Sequence, residues 1–103
     1  MNILNLLPTQ YWKLLMTYKI NILKNANDDL DWFRRNDKTS YIKSFDMTRE
    51  MMIDPRVGTG KPERLKHFEK EVYSRRVNHK DRIVYTIYEG IKEIDITSYR
   101  GHY

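Results

Sequence analysis

The polar and apolar positions of the chain change their period between residues 18 and 36. Residues 18–24, YKINILK, alternate in polarity and place Ile20 and Ile22 on one face, which predicts a β-strand. The next apolar positions follow at intervals of four and three residues, a spacing that predicts a short amphipathic helix over residues 27–36. These positions are Ala26, Leu30 and Phe33.

Polar residues mark both ends of this first predicted helix. Asn25 and Asn27 are candidate N-caps, because a short polar side chain can accept a hydrogen bond from a free backbone N–H of the first turn. Asp28 and Asp29 would occupy the first turn, where the helix dipole favours anions. We expect the Asn-Asp pair at residues 36–37 to end the helix.

A second helix is predicted over residues 38–53, with Thr39 or Ser40 as its N-cap. Its apolar positions recur at helical spacing and predict the face that packs on the core. That face comprises Tyr41, Phe45, Thr48 and Met52, widened by Ile42 and Met51. The dipeptide Asp54-Pro55 should stop the helix, because the residue before a proline is driven out of helical geometry.

The second half of the chain predicts an antiparallel sheet. After a loop at residues 55–62, three stretches read as strands, over residues 71–77, 82–88 and 91–98. The last two are joined by a tight turn in which Gly90 can adopt a positive φ angle. The element order is therefore β-α-α-β-β-β, an α+β fold with two helices packed on one face of a small antiparallel sheet and the other face open to solvent.

Composition narrows the classes of function. The 103 residues allow one domain, which excludes large multi-domain enzymes and dinucleotide folds. The absence of cysteine excludes disulfide scaffolds, thiol nucleophiles and Cys-ligated metal sites, and it is compatible with the cytoplasmic location that we expect. No apolar stretch is long enough to span a membrane. The formal net charge of +5 favours a polyanionic or acidic partner.

The positive charge is concentrated in residues 56–82, which hold nine basic and four acidic residues. Arg75 and Arg76 are neighbours on a predicted strand, so that one of them should point the same way as Arg82 on the next strand. Two guanidinium groups side by side on an open sheet face would form a phosphate clamp. Ordinary ion pairing with surface glutamates is the alternative.

Other candidate sites are weaker. The GTGKP segment lacks the spacing and the following helix of a phosphate-binding loop. The three histidines, at positions 67, 79 and 102, lack the spacing of metal ligands, and we expect no metal. A C-terminal His102 can nevertheless serve as a general acid, because histidine titrates near neutral pH, and the adjacent Tyr103 can stack on a base.

Four blocks of sequence together carry a family resemblance: GTGKPERLKHF, YSRRV, DRIVY and a C-terminal RGHY. In this order they resemble the YoeB (Txe) toxins of bacterial type II toxin–antitoxin systems, which belong to the wider RelE/ParE superfamily. The resemblance covers residues 17–103, where YKINILKNANDDLDWF also matches the family's opening strand and first helix. Residues 1–16 have no counterpart, and we expect them to be an N-terminal extension, either from an upstream start or as an extra helix packed on the domain.

The resemblance implies an endoribonuclease that cuts messenger RNA in the ribosomal A site. It implies that Glu63 is the general base and that Arg82 stabilises the phosphate. It also assigns His102 as the general acid and Tyr103 as a residue that orients the substrate. Further RNA contacts are expected from Arg75, Arg76, Lys61 and Lys66.

The expected partners are messenger RNA, the ribosome and a cognate antitoxin of the YefM/Phd-like type. The resemblance implies a heteromeric complex with the antitoxin, because family members often occur as dimers bound to antitoxin, and it leaves a homodimer open. No membrane contact is expected. RNA supplies its own nucleophile, the 2′-OH, so that neither a cofactor nor a metal is required.

Two residues depart from the family pattern. Tyr73 stands where the family often has Trp, and Asp81 stands where many members have His. Asp81 would place a carboxylate beside Arg82, either holding its guanidinium group or reducing its effective charge. Two other functions stay open at this point: a ParE-like toxin that poisons DNA gyrase without cutting RNA, and a non-catalytic module that binds RNA or antitoxin.

Overall fold

Two helices and five strands form the part of the chain that this computed structural model describes, residues 17–101. The predicted extension, residues 1–16, lies outside the described residues. The helices are α1 (Lys24–Asn36) and α2 (Lys38–Ile53). The strands are β1 (Lys19–Ile22), β2 (Glu63–Arg64), β3 (Glu71–Arg76), β4 (Arg82–Tyr88) and β5 (Glu93–Gly101).

The strands form one sheet in the order β1-β5-β4-β3-β2. The prediction of antiparallel pairing is confirmed for β3, β4 and β5, and β2 also pairs with β3 antiparallel, but β1 pairs with β5 in parallel. This parallel pair joins the first strand to the last. The sequence did not predict it, because the alternation of polar and apolar residues indicates a strand but does not identify the strand with which it pairs. Strand β2 was not predicted, because two residues are too few to show a period.

Helix α1 packs on β5 with the predicted face. Ala26, Leu30 and Phe33 are buried, and they share one hydrophobic core with Ile94 and Ile96 of β5. The predicted start of α1 is wrong by three residues, since the helix begins at Lys24 and no side chain caps it. The expected capping by asparagine and the acidic first turn are therefore also wrong.

Helix α2 has the predicted bounds, but its N-cap is Asp37, not Thr39 or Ser40. The Asp37 carboxylate accepts hydrogen bonds from both the backbone N–H and the hydroxyl of Ser40, at 3.1 and 2.7 Å. One residue thus ends α1 and caps α2. These bonds lower the pKa of Asp37, the hydroxyl donor more than the backbone donor.

The predicted buried face of α2 is confirmed at Thr48 and Met51 and wrong at Phe45 and Ile42. Phe45 and Ile42 are 42% and 60% exposed. The helix instead packs through residues that also follow a helical spacing: Ser40, Ser44, Met47, Thr48 and Met51. Small hydroxyl residues can face the core here because the hydroxyls of Ser44 and Thr48 each donate to the carbonyl four residues back, at 2.7 Å.

The connection between β4 and β5 also differs from the prediction. A short 3₁₀ turn, Glu89–Ile91, precedes Lys92, and the positive φ of 54° belongs to Lys92 and not to Gly90. Within residues 17–101, no helix is both long and apolar enough to cross a membrane.

The new assignment of the helix faces predicts how two phenylalanines respond to truncation. Phe33→Ala should lower the free energy of unfolding by about 3–5 kcal/mol, because it leaves a cavity in the core. Phe45→Ala should cost about 1 kcal/mol, since it loses mainly the edge-to-face contact with Tyr41. Urea unfolding of both variants measures the difference, and equal losses would contradict the assignment.

Candidate active site

Four polar side chains share the sheet face turned away from both helices, which we call the open face. In the strand register Arg76 lies opposite Arg82, and Glu63 lies opposite Ser74. Because side chains alternate along a strand, Ser74 and Arg76 project to the same side. The sequence left open which of two arginines would accompany Arg82, and the register assigns Arg76.

Glu63 and Arg82 approach one another on this face. The Glu63 Oε2 atom lies 3.9 Å from Nη1 of Arg82, and the same nitrogen donates to the Ser74 hydroxyl at 3.3 Å. The Glu63 side chain is 69% exposed and that of Arg82 is 21% exposed. The structure thus brings together a carboxylate that is open to solvent and a guanidinium group that is held by its neighbours.

Strand β5 ends beside this pair. Gly101 is the register partner of Arg82, and it immediately precedes His102 in the sequence. His102 and Tyr103 lie outside the described residues, and their roles stay predictions.

Hydrogen bonds and a cation–π contact hold the end of β5 against helices α1 and α2. The sequence analysis did not predict these contacts. The Asp29 carboxylate accepts from the backbone N–H groups of Tyr99 and Arg100, at 3.0 and 3.1 Å. The Arg100 guanidinium lies 3.5 Å from the ring centroid of Trp32. The buried hydroxyl of Tyr99 is 2.7 Å from that of Thr48, and burial raises the pKa of Tyr99 to about 12 although this bond opposes the shift.

The prediction that Arg75 contacts RNA is wrong for the structure as it stands, because Arg75 is fully buried. Its side chain projects from β3 toward the helix side and makes five hydrogen bonds inside the protein. The acceptors are the Tyr85 hydroxyl at 3.0 Å, the Glu50 carboxylate and the Thr59 carbonyl at 3.3 Å, and the carbonyls of Asp54 and Val57 at 3.1 and 2.8 Å. The GTGKP loop is therefore built around a buried guanidinium group.

Two glycines allow this loop to close on Arg75. Gly58 and Gly60 have φ angles of 124° and 86°, which side chains rarely tolerate. A Cβ atom on Gly58 would lie 2.2 Å from the Glu50 carboxylate, and one on Gly60 would lie 2.7 Å from the Arg76 carbonyl. The two glycines thus allow the loop backbone to pack closely against Glu50 and Arg76. The two residues that follow the loop, at positions 63 and 64, form β2.

Glu50 is the second anchor of the loop. Its carboxylate accepts from the Thr59 backbone N–H at 2.7 Å as well as from Arg75. Desolvation by burial acts to raise the pKa of Glu50, but the hydrogen bonds from Thr59 and the charge of Arg75 outweigh it and lower the pKa.

The basic residues of the 56–82 segment divide into two groups. Arg56 is paired with Glu71 through two hydrogen bonds, at 2.7 and 2.9 Å, and with Glu89 at 3.0 Å. Together with the burial of Arg75, this shows that part of the charge is structural. Lys61, Lys66 and Arg76 are exposed, so that three of the four predicted RNA-contacting residues are accessible.

Asp81, the residue that departs from the family pattern beside Arg82, is buried in the β3–β4 turn. Its carboxylate accepts from the Asn78 side-chain amide at 3.1 Å, and its backbone N–H donates to the Asn78 carbonyl oxygen Oδ1 at 2.6 Å. The same amide nitrogen of Asn78 donates to Ser40. Asp81 therefore helps to join this turn to the start of α2.

Among residues 17–101, no cluster of three or more His, Cys, Asp or Glu side chains is arranged to hold a metal ion.

Comparison with known proteins identifies similar sequences and structures. Residues 22–103 match the family described as YoeB-like toxin of bacterial type II toxin–antitoxin system. Toxin YoeB of Synechocystis sp. is 39% identical over 85 residues, which are 82% of this chain and 96% of that protein. The structure of a YoeB dimer from Staphylococcus aureus is similar with a TM-score of 0.74 and 34% identity, over 84% of this chain and 99% of that chain.

A heterotetrameric YoeB–YefM toxin–antitoxin complex from the same species gives a TM-score of 0.70 at 34% identity, over 84% of this chain and 98% of that chain.

The two adjacent arginines on β3 should differ in how much their mutation destabilises the protein. Arg75→Ala should lower the free energy of unfolding by about 3–5 kcal/mol, because it leaves the Glu50 carboxylate and the loop carbonyls without their buried donor. Arg76→Ala should change it by less than about 0.5 kcal/mol, since the side chain is exposed. Chemical denaturation measures both. A loss for Arg76→Ala as large as that for Arg75→Ala would contradict the buried position of Arg75.

The lowered pKa of Glu50 predicts an acid-dependent part of the stability. Because its pKa is lower in the folded than in the unfolded chain, the stabilisation is present above the ordinary value of about 4.5 and is lost as the pH falls through the folded value. The stability difference between wild type and Glu50→Gln should therefore shrink as the pH falls below about 4.5. Denaturation at several pH values tests this, with Glu69→Gln as an exposed control. A difference that does not vary with pH would exclude the linkage.

Proposed function

The chain belongs to the YoeB-like toxins of bacterial type II toxin–antitoxin systems, and we propose that it is an endoribonuclease that cuts messenger RNA without a metal ion. The observation that carries the proposal is the pair formed by Glu63 and Arg82 on the open face, with the end of β5 beside it. A carboxylate and a guanidinium group at this spacing suit a reaction at a phosphodiester.

The cleavage needs a general base, a positive charge at the phosphate and a general acid, and the chain has a residue for each role. Glu63 takes the proton from a ribose 2′-OH, which attacks the adjacent phosphorus. Arg82 stabilises the charge that develops on the phosphate oxygens. His102 gives a proton to the 5′-oxygen as the P–O5′ bond breaks. The products are a 2′,3′-cyclic phosphate and a 5′-hydroxyl, so that atoms and charge balance without a metal-bound water.

The position of Glu63 supports its assignment as the base. Its side chain is largely exposed, and a substrate hydroxyl can reach the carboxylate without displacing the fold. Arg82 is held by Ser74, which limits the reorientation needed when phosphate arrives. Arg76, the register partner of Arg82, adds a second positive charge on the same face.

His102 and Tyr103 complete the proposed site. In the sequence His102 directly follows Gly101, the register partner of Arg82. Tyr103 is proposed to orient the substrate. Lys61 and Lys66 flank β2 in the sequence and are proposed to contact neighbouring phosphates.

The place of action is proposed to be the ribosomal A site. Exposed cations at positions 61, 66 and 76 suit docking to polyanionic ribosomal RNA, and such binding weakens steeply with salt.

The partner that silences the toxin is proposed to be an antitoxin of the YefM type. The Staphylococcus aureus relatives were solved as a YoeB–YefM complex and as a YoeB dimer. An acidic antitoxin segment that covers the open face and the end of β5 would block Glu63 and Arg82 together.

The reaction predicts a defined pattern of lost activity. A short RNA should be cut in the presence of a chelator, while the all-deoxy strand of the same sequence should be inert because it lacks the 2′-OH. Glu63→Gln, Arg82→Ala and His102→Gln should each lower the cleavage rate by about 10²- to 10⁴-fold. Rates are measured on end-labelled RNA under single-turnover conditions.

Asp28→Ala is the matched control for these variants, because this exposed carboxylate lies on α1, on the opposite side of the sheet. It should retain the wild-type rate. Comparable cutting of DNA, or undiminished cutting by Glu63→Gln and His102→Gln together, would contradict the proposed reaction. In that case a toxin that acts without RNA cleavage would be favoured.

A further inference from the structure

Strand β5 carries a β-bulge shortly before His102. Arg82 of β4 pairs with Gly101 and, two residues further along β4, Val84 pairs with Ser98. A step of two residues along β4 is therefore matched by a step of three along β5, and residues 99 and 100 stand opposite a single residue of β4. A bulge bends its strand and re-aims the side chains beside it. The backbone of this bulge thus sets the direction in which the chain continues to His102.

One carboxylate oxygen holds both residues of the bulge. The Oδ2 atom of Asp29, on helix α1, accepts from the backbone N–H groups of Tyr99 and Arg100, at 3.0 and 3.1 Å. Successive N–H groups of a regular strand point to opposite edges, so that one acceptor receives both only where the strand is irregular. The position of the Asp29 oxygen and the shape of the bulge are therefore matched to one another.

Asp29 takes the place of a neighbouring strand at this point of the sheet. Strand β1 pairs with β5 from Glu93 to Ile96 and ends there, and the chain then enters α1. Tyr99 is fully buried and Arg100 is partly buried, so that their N–H groups need partners inside the protein. Helix α1 supplies the partner through Asp29. Removing this carboxylate leaves both N–H groups without it and allows the bulge to change its shape.

The short connection from the bulge to His102 makes the backbone of the bulge decisive for the position of that residue. The Arg100 guanidinium lies 3.5 Å from the centroid of the Trp32 ring, a second contact between the bulge and α1. Gly101, which separates Arg100 from His102, has no side chain that packing could hold in place. The contacts of the bulge with α1 therefore control where His102 is presented.

The bulge matters for the proposed reaction because the general acid follows it in the chain. A general acid has to lie within hydrogen-bond reach of the atom that it protonates. A displacement of about 1 Å that arises far from the chemistry can lower a rate about 100-fold. We propose that Asp29 is a positioning residue for His102, which it holds at the leaving 5′-oxygen through the backbone of the bulge. This inference rests on the proposed ribonuclease function.

A change of leaving group tests this role, because it removes the need for a general acid. The substrates are two RNAs of one sequence, the natural RNA and one in which sulfur replaces the 5′-oxygen of the cleaved linkage. The 2′-OH attacks phosphorus in both, but in the second the P–S bond breaks and the leaving group departs as a thiolate. A thiol has a pKa of about 8.5, so that this departure needs no proton from the protein. Rates are measured under single-turnover conditions.

The variants should differ in how they respond to the sulfur. Asp29→Ala should cut the natural RNA about 10- to 100-fold more slowly than the wild type does, and the sulfur-containing RNA at close to the wild-type rate. His102→Gln should show the same pattern. Glu63→Gln should be slow on both RNAs, because the attacking 2′-OH still needs a base. Asp29→Asn keeps an acceptor oxygen but loses the charge, and it should show a smaller loss with the same pattern.

Asp28→Ala is the matched control, since its exposed carboxylate pairs with Lys24 on the same helix. It should cut both RNAs at the wild-type rate. Circular dichroism at the assay temperature shows which variants are folded, and Asp29→Asn gives the same comparison if the alanine variant unfolds. An equal loss of rate on both RNAs in a folded Asp29 variant would overturn the positioning role, because a general structural defect has no preference for the leaving group.

Nuclear magnetic resonance tests the position of His102 without any reaction. Asp29→Ala should shift the His102 ring signals of the free protein, whereas Asp28→Ala should leave them unchanged. Unchanged signals in Asp29→Ala would overturn the inference. A shift in a chain that cuts no RNA would overturn the proposed function and keep Asp29 as the residue that holds the segment before His102. Equal slowness of His102→Gln on both RNAs would overturn its assignment as the acid, and with it this role of Asp29.

Discussion

The hydrogen bonds of the buried Arg75 guanidinium group hold together the end of α2, the glycine-containing loop and strands β3 and β4. It is wholly buried and its five donors reach one carboxylate, one phenol and three loop carbonyls. A buried cation is tolerated only when such partners replace its hydration. By satisfying these carbonyls, Arg75 joins the end of α2, the glycine-containing loop and strands β3 and β4. The chain leaves this loop directly into β2, where Glu63 lies. The position of the candidate base therefore depends on an arginine that faces away from it.

The two neighbouring arginines of β3 have different roles because they lie on opposite faces of the sheet: Arg75 is structural, and Arg76 is proposed to contact RNA. Arg75 faces the helices and holds the loop, while Arg76 faces solvent beside Arg82. Strand alternation alone produces this division, since successive side chains project to opposite faces. On the open face, β2, β3, β4 and β5 contribute Glu63, Ser74, Arg82 and Gly101 in spatial sequence. Asp29 and Trp32 of α1 then fix the end of β5 from the other side of the sheet. The residues proposed for the chemistry are thus held by residues on the opposite side of the sheet.

Sequence reasoning predicted the elements better than their contacts. The bounds of α2 followed from local signals, the Asn-Asp pair before it and the Asp-Pro pair after it. Its buried face followed only in part, because Ser40 and Ser44 look polar in the sequence but satisfy their hydroxyls on the helix cap and within the helix. The parallel partner of β1 and the burial of Arg75 are set by contacts distant in sequence, which periodicity does not encode. The meeting of Glu63 and Arg82 was anticipated through the family resemblance, since β2 is too short to show a pattern.

The most direct measurement is a crystal structure of the chain bound to a short RNA that carries a single 2′-deoxyribose at the mapped cleavage position. The account predicts that the scissile phosphate lies within hydrogen-bond distance of the Arg82 guanidinium. The Glu63 carboxylate should face the deoxy carbon, and the His102 imidazole should lie at the 5′-oxygen. RNA bound on the helix side of the sheet, or His102 placed on the opposite side of the molecule from Arg82, would contradict it.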